Sequence, residues 1–324
     1  MKHARGNLMT NYAVIGGAGF IGSHFVDHLM KDGHRVKVID NLCSGTISRI
    51  EHHLKEYNFE FKELNVESTS ALGNEIANMD VVIHLASNPD IALAATNPRI
   101  DFIQGTVLTE SVLEAARGVG VNQILYASGS GVYGDAGTEI LNEESPIKPI
   151  STYGASKAAG EHLLRSYSHM FGLRSLAFRF ANVVGARQTH GVGFDFLNRL
   201  KQDPNHLHIL GDGKQSKSYV HVSDIVKGVL LAAEKSNQDF DIFNISTSDY
   251  VDVNQIAKIV MNELKIKTNQ VKINYSGGER GWKADVPIVR LDASKISKLG
   301  WVPLYTSHTA IEQSIKEMKD SKFN

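Results

Sequence analysis

Cysteine is nearly absent from this sequence, and so are long hydrophobic runs and an excess of either charge. The single cysteine, Cys43, excludes a disulfide framework within the chain and is typical of a protein in a reducing cytoplasm. No apolar run approaches the ~20 residues that a membrane-spanning helix needs. The 34 Lys and Arg residues are balanced by 35 Asp and Glu residues, and the net charge of -1 therefore predicts neither nucleic acid nor a membrane as a partner.

Metal-binding motifs are also missing, although the chain contains 14 histidines. His52, His53, His206 and His208 do not have a ligand spacing such as HExxH, so we expect surface or core histidines and no metal site. Residues 1–10 are polar and basic without an apolar core, which predicts a flexible tail rather than a signal peptide. The length of 324 residues suggests two domains.

A glycine-rich turn joins the first predicted strand to the first predicted helix. Gly16, Gly19 and Gly22 have the spacing GxxGxxG, in which the glycines allow a tight turn, close approach of a pyrophosphate and close packing of the helix on the strand. Asp40 follows the second strand, 21 residues after Gly19. An acid at this position accepts the ribose hydroxyls of NAD, although Asp40 could instead only cap a turn. The sequence predicts NAD rather than NADP as the cofactor.

Strand and helix patterns alternate through the chain. The pattern predicts strands at 12–15, 35–39, 59–64, 81–86, 123–128, 175–180, 241–245 and 288–291, and helices at 21–31, 70–78, 100–118, 152–170, 223–234, 253–264, 293–299 and 309–319. This alternation predicts an α/β fold with a Rossmann-type, doubly wound parallel sheet. Gly-rich loops at 182–193 and 204–217 predict a smaller, discontinuous α/β substrate domain. We expect one domain to comprise residues 11–181 and 218–248, and the substrate domain to comprise residues 182–217 and 249–324.

The strongest catalytic signal is the pair Tyr153 and Lys157. Residues four apart share a helix face, and a cation within ~4–6 Å lowers the pKa of a tyrosine by ~1–3 units, which makes its phenolate usable as a general base. A surface pair is the alternative interpretation. The catalytic interpretation gains support because the preceding strand ends at Ser128, Gly129 and Ser130, a source of hydroxyl groups at the carboxyl edge of the sheet.

Seven segments together resemble the extended short-chain dehydrogenase/reductase family, and within it the NAD-dependent sugar-nucleotide epimerases and dehydratases. These segments are residues 16–22, 40–41, 84–86, 128–134, 153–157, 179–183 and 219–222. The resemblance extends from about residue 11 to the C-terminal helix. It implies an enzyme of the UDP-glucose 4-epimerase type, with NAD as cofactor, a UDP-sugar as substrate and a homodimer formed through a four-helix bundle of helices 100–118 and 152–170.

The resemblance also implies roles for individual residues. Tyr153 would take the proton of the sugar 4-hydroxyl while a hydride passes to nicotinamide, Lys157 would hold the nicotinamide ribose, and Ser128 would bind the 4-oxygen. The implied cofactor-binding residues are Gly16, Gly19, Phe20, Ile21, Gly22, Asp40, Asn41, Asn65, Val66, Leu85, Ala86, Ser87, Tyr153, Lys157 and Phe180. The implied substrate-binding residues are Ser128, Ser130, Tyr153, Asn182, Gly191, Val192, His208, Lys217, Arg280, Asp285 and Val289.

Some positions depart from the family pattern. The usual catalytic hydroxyl falls on Gly129, so Ser128 or Ser130 must take the role, and we favour Ser128. No acidic pair follows Ser128, which disfavours a 4,6-dehydratase because elimination needs an acid and a base. Lys217 stands where the family usually has an arginine, and Asp101 where it usually has an asparagine; the effect of Asp101 stays open.

The sequence leaves several alternatives for the sugar of the substrate. UDP-glucose and UDP-galactose are the expected pair. Val289 stands at a gate position where a bulky aromatic residue excludes N-acetyl sugars, so N-acetyl forms are expected to enter as well. The alternatives are a UDP-glucuronate 4-epimerase or decarboxylase and a non-catalytic NAD-sensing protein of the same fold.

Overall fold

A seven-stranded sheet forms the centre of the fold in the computed structural model, which describes residues 9–88, 91–282 and 284–320. The predicted tail lies outside these residues, apart from residues 9 and 10. The strands are β1 (Asn11–Ile15), β2 (Arg35–Asp40), β3 (Phe59–Glu63), β4 (Val81–His84), β5 (Gln123–Gly129), β6 (Arg174–Phe180), β7 (Asn182–Val184), β8 (His206–Ile209), β9 (Ser216–Lys217), β10 (Tyr219–His221), β11 (Phe240–Ile245), β12 (Val251–Asp252) and β13 (Lys272–Tyr275).

Helices connect most of these strands. They are α1 (Phe20–Lys31), α2 (Thr69–Ile76), α3 (Arg99–Asp101), α4 (Leu108–Val119), α5 (Thr152–Phe171), α6 (Val192–Gln202), α7 (Val222–Lys235), α8 (Val253–Glu263), α9 (Ser294–Lys298) and α10 (Ser307–Asp320). None of the helices among the described residues is both long and apolar enough to cross a membrane.

The order of the sheet is β11-β6-β5-β4-β1-β2-β3, which confirms the predicted doubly wound, Rossmann-like architecture. The chain moves outward from β1 to β3 and then returns to build the other half from β4. The strand order therefore reverses between β1 and β4, which pair in parallel. Ligands of such sheets bind beyond the carboxyl ends of the strands at this reversal, so the segments that follow Ile15 and His84 are placed for ligand contact.

The central strands are buried because both faces of a parallel sheet are covered. Val14 of β1 and Val36 and Val38 of β2 are fully inaccessible to solvent, and Ile83 of β4 is 1% exposed. Such continuous apolar runs, rather than alternating ones, are typical of strands in parallel sheets. The predicted strands of the first half are all present with ends shifted by at most two residues.

Two predictions about local structure were wrong, and one helix was not predicted. Residues 288–291 do not form a strand, because Ile288 and Leu291 each make an isolated bridge to a different partner, Ser216 and Leu141. The helix predicted at 100–118 is interrupted by a π-helical turn, Phe102–Val107, between α3 and α4. Helix α6 was not predicted, although its apolar residues Phe196, Leu197 and Leu200 recur with helical spacing and are buried.

The chain forms two compact units. The first comprises the described residues up to Ala127, together with Ala159–Ala177 and Asn237–Asp241. The second comprises Ser128–Ala158, Phe178–Ser236 and the described residues from Ile242 onward. Within the second unit, α6, α8 and α10 supply a hydrophobic core that includes Phe196, Leu197, Ile256, Val260, Ile311 and Ile315. The functional domain boundaries expected from the sequence stay a prediction.

We predict that Gly22→Ala destabilises the protein, because a Cβ at this position would overlap the carbonyl oxygen of Gly16 and lie 2.7 Å from the Cα of Gly17. Both are backbone atoms of a tight turn, so we expect a loss of ~1–3 kcal/mol in the free energy of unfolding, as in other overpacked sites. Urea denaturation measures this loss.

Gly118→Ala is the matched control for this variant. Gly118 lies in α4, and a Cβ there would meet no atom within 4 Å. Alanine should therefore be neutral or raise the free energy of unfolding by up to ~1 kcal/mol, because it has the higher helix propensity. Equal losses in the two variants would contradict the importance of close packing at Gly22.

Candidate active site

A cleft in the first unit opens at the reversal of strand order. The residues that line it are Ile15, Gly16, Ile39, Asp40, Asn41, Cys43, Leu64, Asn65, Val66, Glu67, Ala86, Ser87, Gln104 and Leu108. Seven of these were predicted to bind the cofactor: Gly16, Asp40, Asn41, Asn65, Val66, Ala86 and Ser87. The structure therefore gathers residues from the ends of four different strands around one cleft.

The glycine turn leads directly into α1. Gly16 has a φ of +81° and its amide donates to the carbonyl oxygen of Ile39 at 2.9 Å. Gly19 precedes the helix and cannot cap it with a side chain, and the first turn of the helix, which begins with Phe20 and Ile21, contains no acidic residue. The amides at the start of α1 are thus suited to an anion such as a pyrophosphate, which is what a dinucleotide would place here.

Asp40 is 7% exposed at the end of β2 and lies beside the glycine turn. Its Oδ2 accepts from the amide of Ala18 at 3.0 Å and its Oδ1 accepts from the amide of Leu42 at 2.9 Å. Burial raises the pKa of this carboxyl, while the two backbone hydrogen bonds and the charge of Arg49 act in the opposite direction. Arg49, which the sequence did not single out, donates from Nη1 to the carbonyl oxygen of Ala18 at 3.1 Å.

The segment after β4 carries the other predicted contacts of this cleft. Leu85, whose amide donates to the carbonyl oxygen of Ile15 at 3.0 Å, precedes Ala86 and Ser87. Gln104 was missed by the sequence analysis and lies in the π-helical turn, which adds a residue to the helix and is a frequent feature of functional sites.

Asp101, whose role was left open, is almost completely buried in the first unit. Its Oδ1 accepts from the side-chain amide of Asn88 at 2.8 Å. A carboxylate here therefore has a donor partner of its own on the segment that follows β4, which is how the chain accommodates an acid at a position where asparagine is usual.

In the second unit, Tyr153 and Lys157 share one face at the start of α5. The Lys157 Nζ lies 5.6 Å from the centroid of the Tyr153 ring, and Lys157 as a whole is only 2% exposed. A buried ammonium group beside a phenol favours the phenolate, because the opposite charge stabilises the ionised form.

The turn that carries the candidate hydroxyl groups packs against the start of α5. A Cβ on Gly154 would overlap the carbonyl oxygen of Gly131, so these two backbones are in close contact. Ser128, at the end of β5, is 4% exposed, whereas Ser130 begins a short 3-10 helix and is partly exposed. A Cβ on Gly129 would lie 4.0 Å from the carbonyl oxygen of Phe180, which places the end of β6 beside this turn.

Lys217, Arg280 and Asp285 form a charged cluster, also in the second unit. The Lys217 Nζ lies 2.7 Å from Asp285 Oδ1, and Arg280 donates to the carbonyl oxygen of Asp285. The other arm of the Arg280 guanidinium forms an ion pair with Asp135 at 2.5 Å. Asp135 was not predicted; it follows the segment of residues 128–134 directly in the chain.

Of the remaining predicted substrate residues, one is joined to a neighbour of this cluster in the chain, and the contacts that place the others are elsewhere in the second unit. Val289 donates from its amide to Ser216, next to Lys217 in the chain. The side chain of Asn182 bonds to Tyr219, the residue it pairs with across β7 and β10. The other three residues lie on or beside secondary structure: Gly191 caps α6 with a φ of +105°, Val192 begins that helix and packs on the hydrophobic core, and His208 is exposed on β8.

A buried polar network supports the loop that follows Tyr133. Arg179 Nη1 donates to the Tyr133 Oη at 2.8 Å and to the carbonyl oxygen of Glu143 at 3.1 Å. Asn244 accepts from the Tyr133 hydroxyl at 2.7 Å and donates to the carbonyl oxygens of Leu141 and Asp292, each at 3.0 Å. Burial raises the pKa of Tyr133 to about 12, so this phenol is a structural donor rather than a base.

Residues 12–246 match the model of the NAD-dependent epimerase/dehydratase family. The chain belongs to this family. Membership confirms that it is an enzyme of the NAD-dependent epimerase class with NAD as its cofactor, and it fits the capless helix start and the buried Asp40 carboxylate described above.

Known proteins agree with this membership over nearly the full chain. A putative UDP-glucose 4-epimerase of Methanocaldococcus jannaschii is 30% identical over 313 residues, which cover 95% of this chain and 98% of the relative. A crystal structure of a UDP-galactose 4-epimerase is 40% identical with a TM-score of 0.83, covering 94% of this chain and 97% of that one. The UDP-glucose 4-epimerase of Thermotoga maritima, solved with UDP-glucose, is 31% identical with a TM-score of 0.85, covering 95% and 98%.

We predict that Asn244→Ala destabilises this family member, because the variant removes three hydrogen bonds from buried groups. A loss of about 2 kcal/mol or more in the free energy of unfolding is expected. Asn262→Ala, at an exposed position of α8, is the control and should change stability by no more than ~0.5 kcal/mol. Thermal and urea unfolding of both variants measure the difference, and equal behaviour would refute a supporting role for the network.

Proposed function

We propose that the chain interconverts UDP-glucose and UDP-galactose by transient oxidation at C4 of the sugar. The observation that carries this proposal is the buried Lys157 ammonium beside the Tyr153 ring. This pairing suits a base that removes a proton from a hydroxyl group near neutral pH. Membership of the NAD-dependent epimerase/dehydratase family supports the redox partner that such a base needs.

The reaction follows from what each side chain can do. Tyr153 takes the proton of the 4-hydroxyl as the C4–H bond breaks, and Lys157 stabilises the phenolate and holds the nicotinamide ribose. Ser128 donates to the 4-oxygen and stabilises the charge that develops there. Bound NAD would supply the hydride acceptor for C4 and the hydride donor for the opposite face of the 4-keto sugar. Tyr153 then gives its proton back to the oxygen, so the sugar is isomerised without net oxidation.

The cluster of Lys217, Arg280 and Asp285 supports a nucleoside diphosphate as the carrier of the sugar. Lys217 and Arg280 supply positive charge for a diphosphate. The Asp285 carboxylate, which Lys217 and the amide of Gly281 already hold, is the group that this proposal assigns to a ribose hydroxyl. In this proposal Asn182, Gly191, Val192 and His208 bind the remaining parts of UDP. The segment Ser128, Gly129, Ser130 and Gly131 contains no acid, which supports epimerisation rather than dehydration.

We also propose that the enzyme acts as a cytoplasmic homodimer. Large apolar side chains are exposed near the ends of the helices that would form the bundle: Phe102, Val119, Met170 and Phe171 are between 39% and 68% exposed. Burial of these side chains against a second copy would remove apolar surface from water.

The proposed reaction predicts that Tyr153→Phe lowers the epimerisation rate by ~10²–10⁴-fold, since the general base is lost. NMR of the purified protein with UDP-glucose, UDP-galactose, UDP-glucuronate and UDP-N-acetylglucosamine, without added NAD, identifies the products.

Ser128→Ala should lower the epimerisation rate by ~10²–10³-fold, as the loss of an oxyanion donor does, and Ser130→Ala serves as its control. Full activity of Tyr153→Phe would refute the mechanism. A pentose product from UDP-glucuronate would show that the enzyme is a decarboxylase rather than an epimerase.

The size of Val289 generates a separate prediction about the sugar. If the valine leaves room for an N-acetyl group, the wild-type enzyme acts on UDP-N-acetylglucosamine, and Val289→Tyr lowers this activity ~10–200-fold by crowding. The same variant should retain its rate with UDP-glucose, which serves as the internal control. A wild-type enzyme that converts UDP-galactose but not UDP-N-acetylglucosamine would show that Val289 does not set the size of the pocket.

A further inference from the structure

One cluster of metal-ligating side chains lies in the first unit and belongs neither to the cofactor cleft nor to the proposed chemistry. Asp27 comes from α1, and His52 and His53 come from a short 3-10 helix, Glu51–His53. Each of the three offers one ligand atom, and these atoms all lie within 4.8 Å of one another. The sequence could not show this group, because 25 residues separate Asp27 from His52.

The ring nitrogens converge on one carboxylate oxygen. His52 Nε2 and His53 Nε2 each lie 2.9 Å from Asp27 Oδ1, and the two rings are 4.0 Å apart between centroids. Imidazole nitrogens and a carboxylate oxygen gathered in this way are the ligands that Zn²⁺ and similar ions take in proteins.

The second nitrogen of His53 strengthens the case. His53 Nδ1 lies 2.6 Å from Glu56 Oε1, so His53 has a carboxylate at each ring nitrogen. A neutral imidazole has a single N–H and can donate to only one of them. When Nδ1–H donates to Glu56, the lone pair of Nε2 is directed toward Asp27 and is the atom that can bind an ion. A carboxylate that orients a histidine through its far nitrogen is also the usual outer partner of a metal-bound histidine.

The surroundings fit a site that is fixed on one side and open on the other. The His53 side chain is 10% exposed, while those of Asp27 and His52 are 32% and 48% exposed. Three protein ligands with one solvent-facing side leave a position for water, as in four-coordinate zinc. We propose that Asp27, His52 and His53 form a binding site for a divalent transition-metal ion such as Zn²⁺.

Such an ion links α1 to residues 47–53. These residues include Arg49, which hydrogen-bonds to Ala18 in the glycine turn. Because the ion binds only the folded arrangement, it raises the midpoint temperature of unfolding in a concentration-dependent manner. This consequence does not depend on the proposed epimerase reaction.

Zinc titration of the full-length, untagged protein tests the site, with a chromophoric chelator as competitor. The wild type should bind one Zn²⁺ per chain through this cluster, and Asp27→Asn and His53→Gln should abolish that binding. Glu56→Gln should weaken it by ~10–100-fold, as the loss of an outer partner does. With Co²⁺ in place of Zn²⁺, the wild type should show the visible absorption of a nitrogen- and oxygen-bound ion.

His206→Gln is the matched control, because His206 lies 2.9 Å from Asp203 and, within the described part of the chain, this pair belongs to no group of three metal-ligating side chains. This variant should bind zinc as the wild type does. His52→Gln, at a half-exposed position, tests the site if the more buried variants fail to fold, and it should weaken binding and remove the rise in unfolding temperature. Absence of zinc binding by the wild type, or equal binding by wild type and His52→Gln, would overturn the proposal.

Discussion

The carboxylate of Asp40 ties together the segments on which the cofactor cleft depends. It accepts one amide from the glycine turn and one from the segment that follows β2, and Arg49 binds the same turn through Ala18. An ionised carboxylate has about four lone-pair positions, so two amides leave room for the hydroxyl groups of a ribose. Asp40 can thus hold the glycine turn in shape and still contact NAD. The hydrogen bonds to two backbone amides give a structural reason for a buried acid at the end of β2, despite its cost in desolvation, and the proposed contact with NAD would add a second.

The alternation of strands and helices in the sequence was enough to predict the central sheet, because parallel strands bury both faces and leave continuous apolar runs. The glycine turn, Asp40 and the pair of Tyr153 and Lys157 were likewise visible, since each depends on local spacing. The features that could not be predicted from the sequence depend on contacts between residues that are distant in the chain. Asp135 is recognisable only because it meets Arg280, and the network of Tyr133, Arg179 and Asn244 joins three separate segments.

Local pattern also failed where tertiary contacts decide the structure. Residues 288–291 include three apolar residues, which favoured a strand, yet the segment bridges two different partners at single residues. Helix α6 follows a glycine-rich loop and was missed although its apolar residues recur with helical spacing; these residues pack with α8 and α10. The cluster of the proposed metal site shows the same limit, because its side chains come from two elements and have no fixed spacing in the chain.

The charged cluster in the second unit constrains how the proposed sugar nucleotide could bind there. Lys217 and Arg280 are each already paired with an acid, so the four side chains Lys217, Arg280, Asp285 and Asp135 sum to no net charge. A diphosphate that arrived without any rearrangement would meet two carboxylates and gain little. The exposed pair is the one that can open: the Arg280 and Asp135 side chains are 39% and 29% exposed, against 21% and 11% for Lys217 and Asp285. Exposed ion pairs contribute little stability, so the exchange of Asp135 for a phosphate at Arg280 costs little. In this proposal the more buried pair of Lys217 and Asp285 would stay in place as the fixed part of the site.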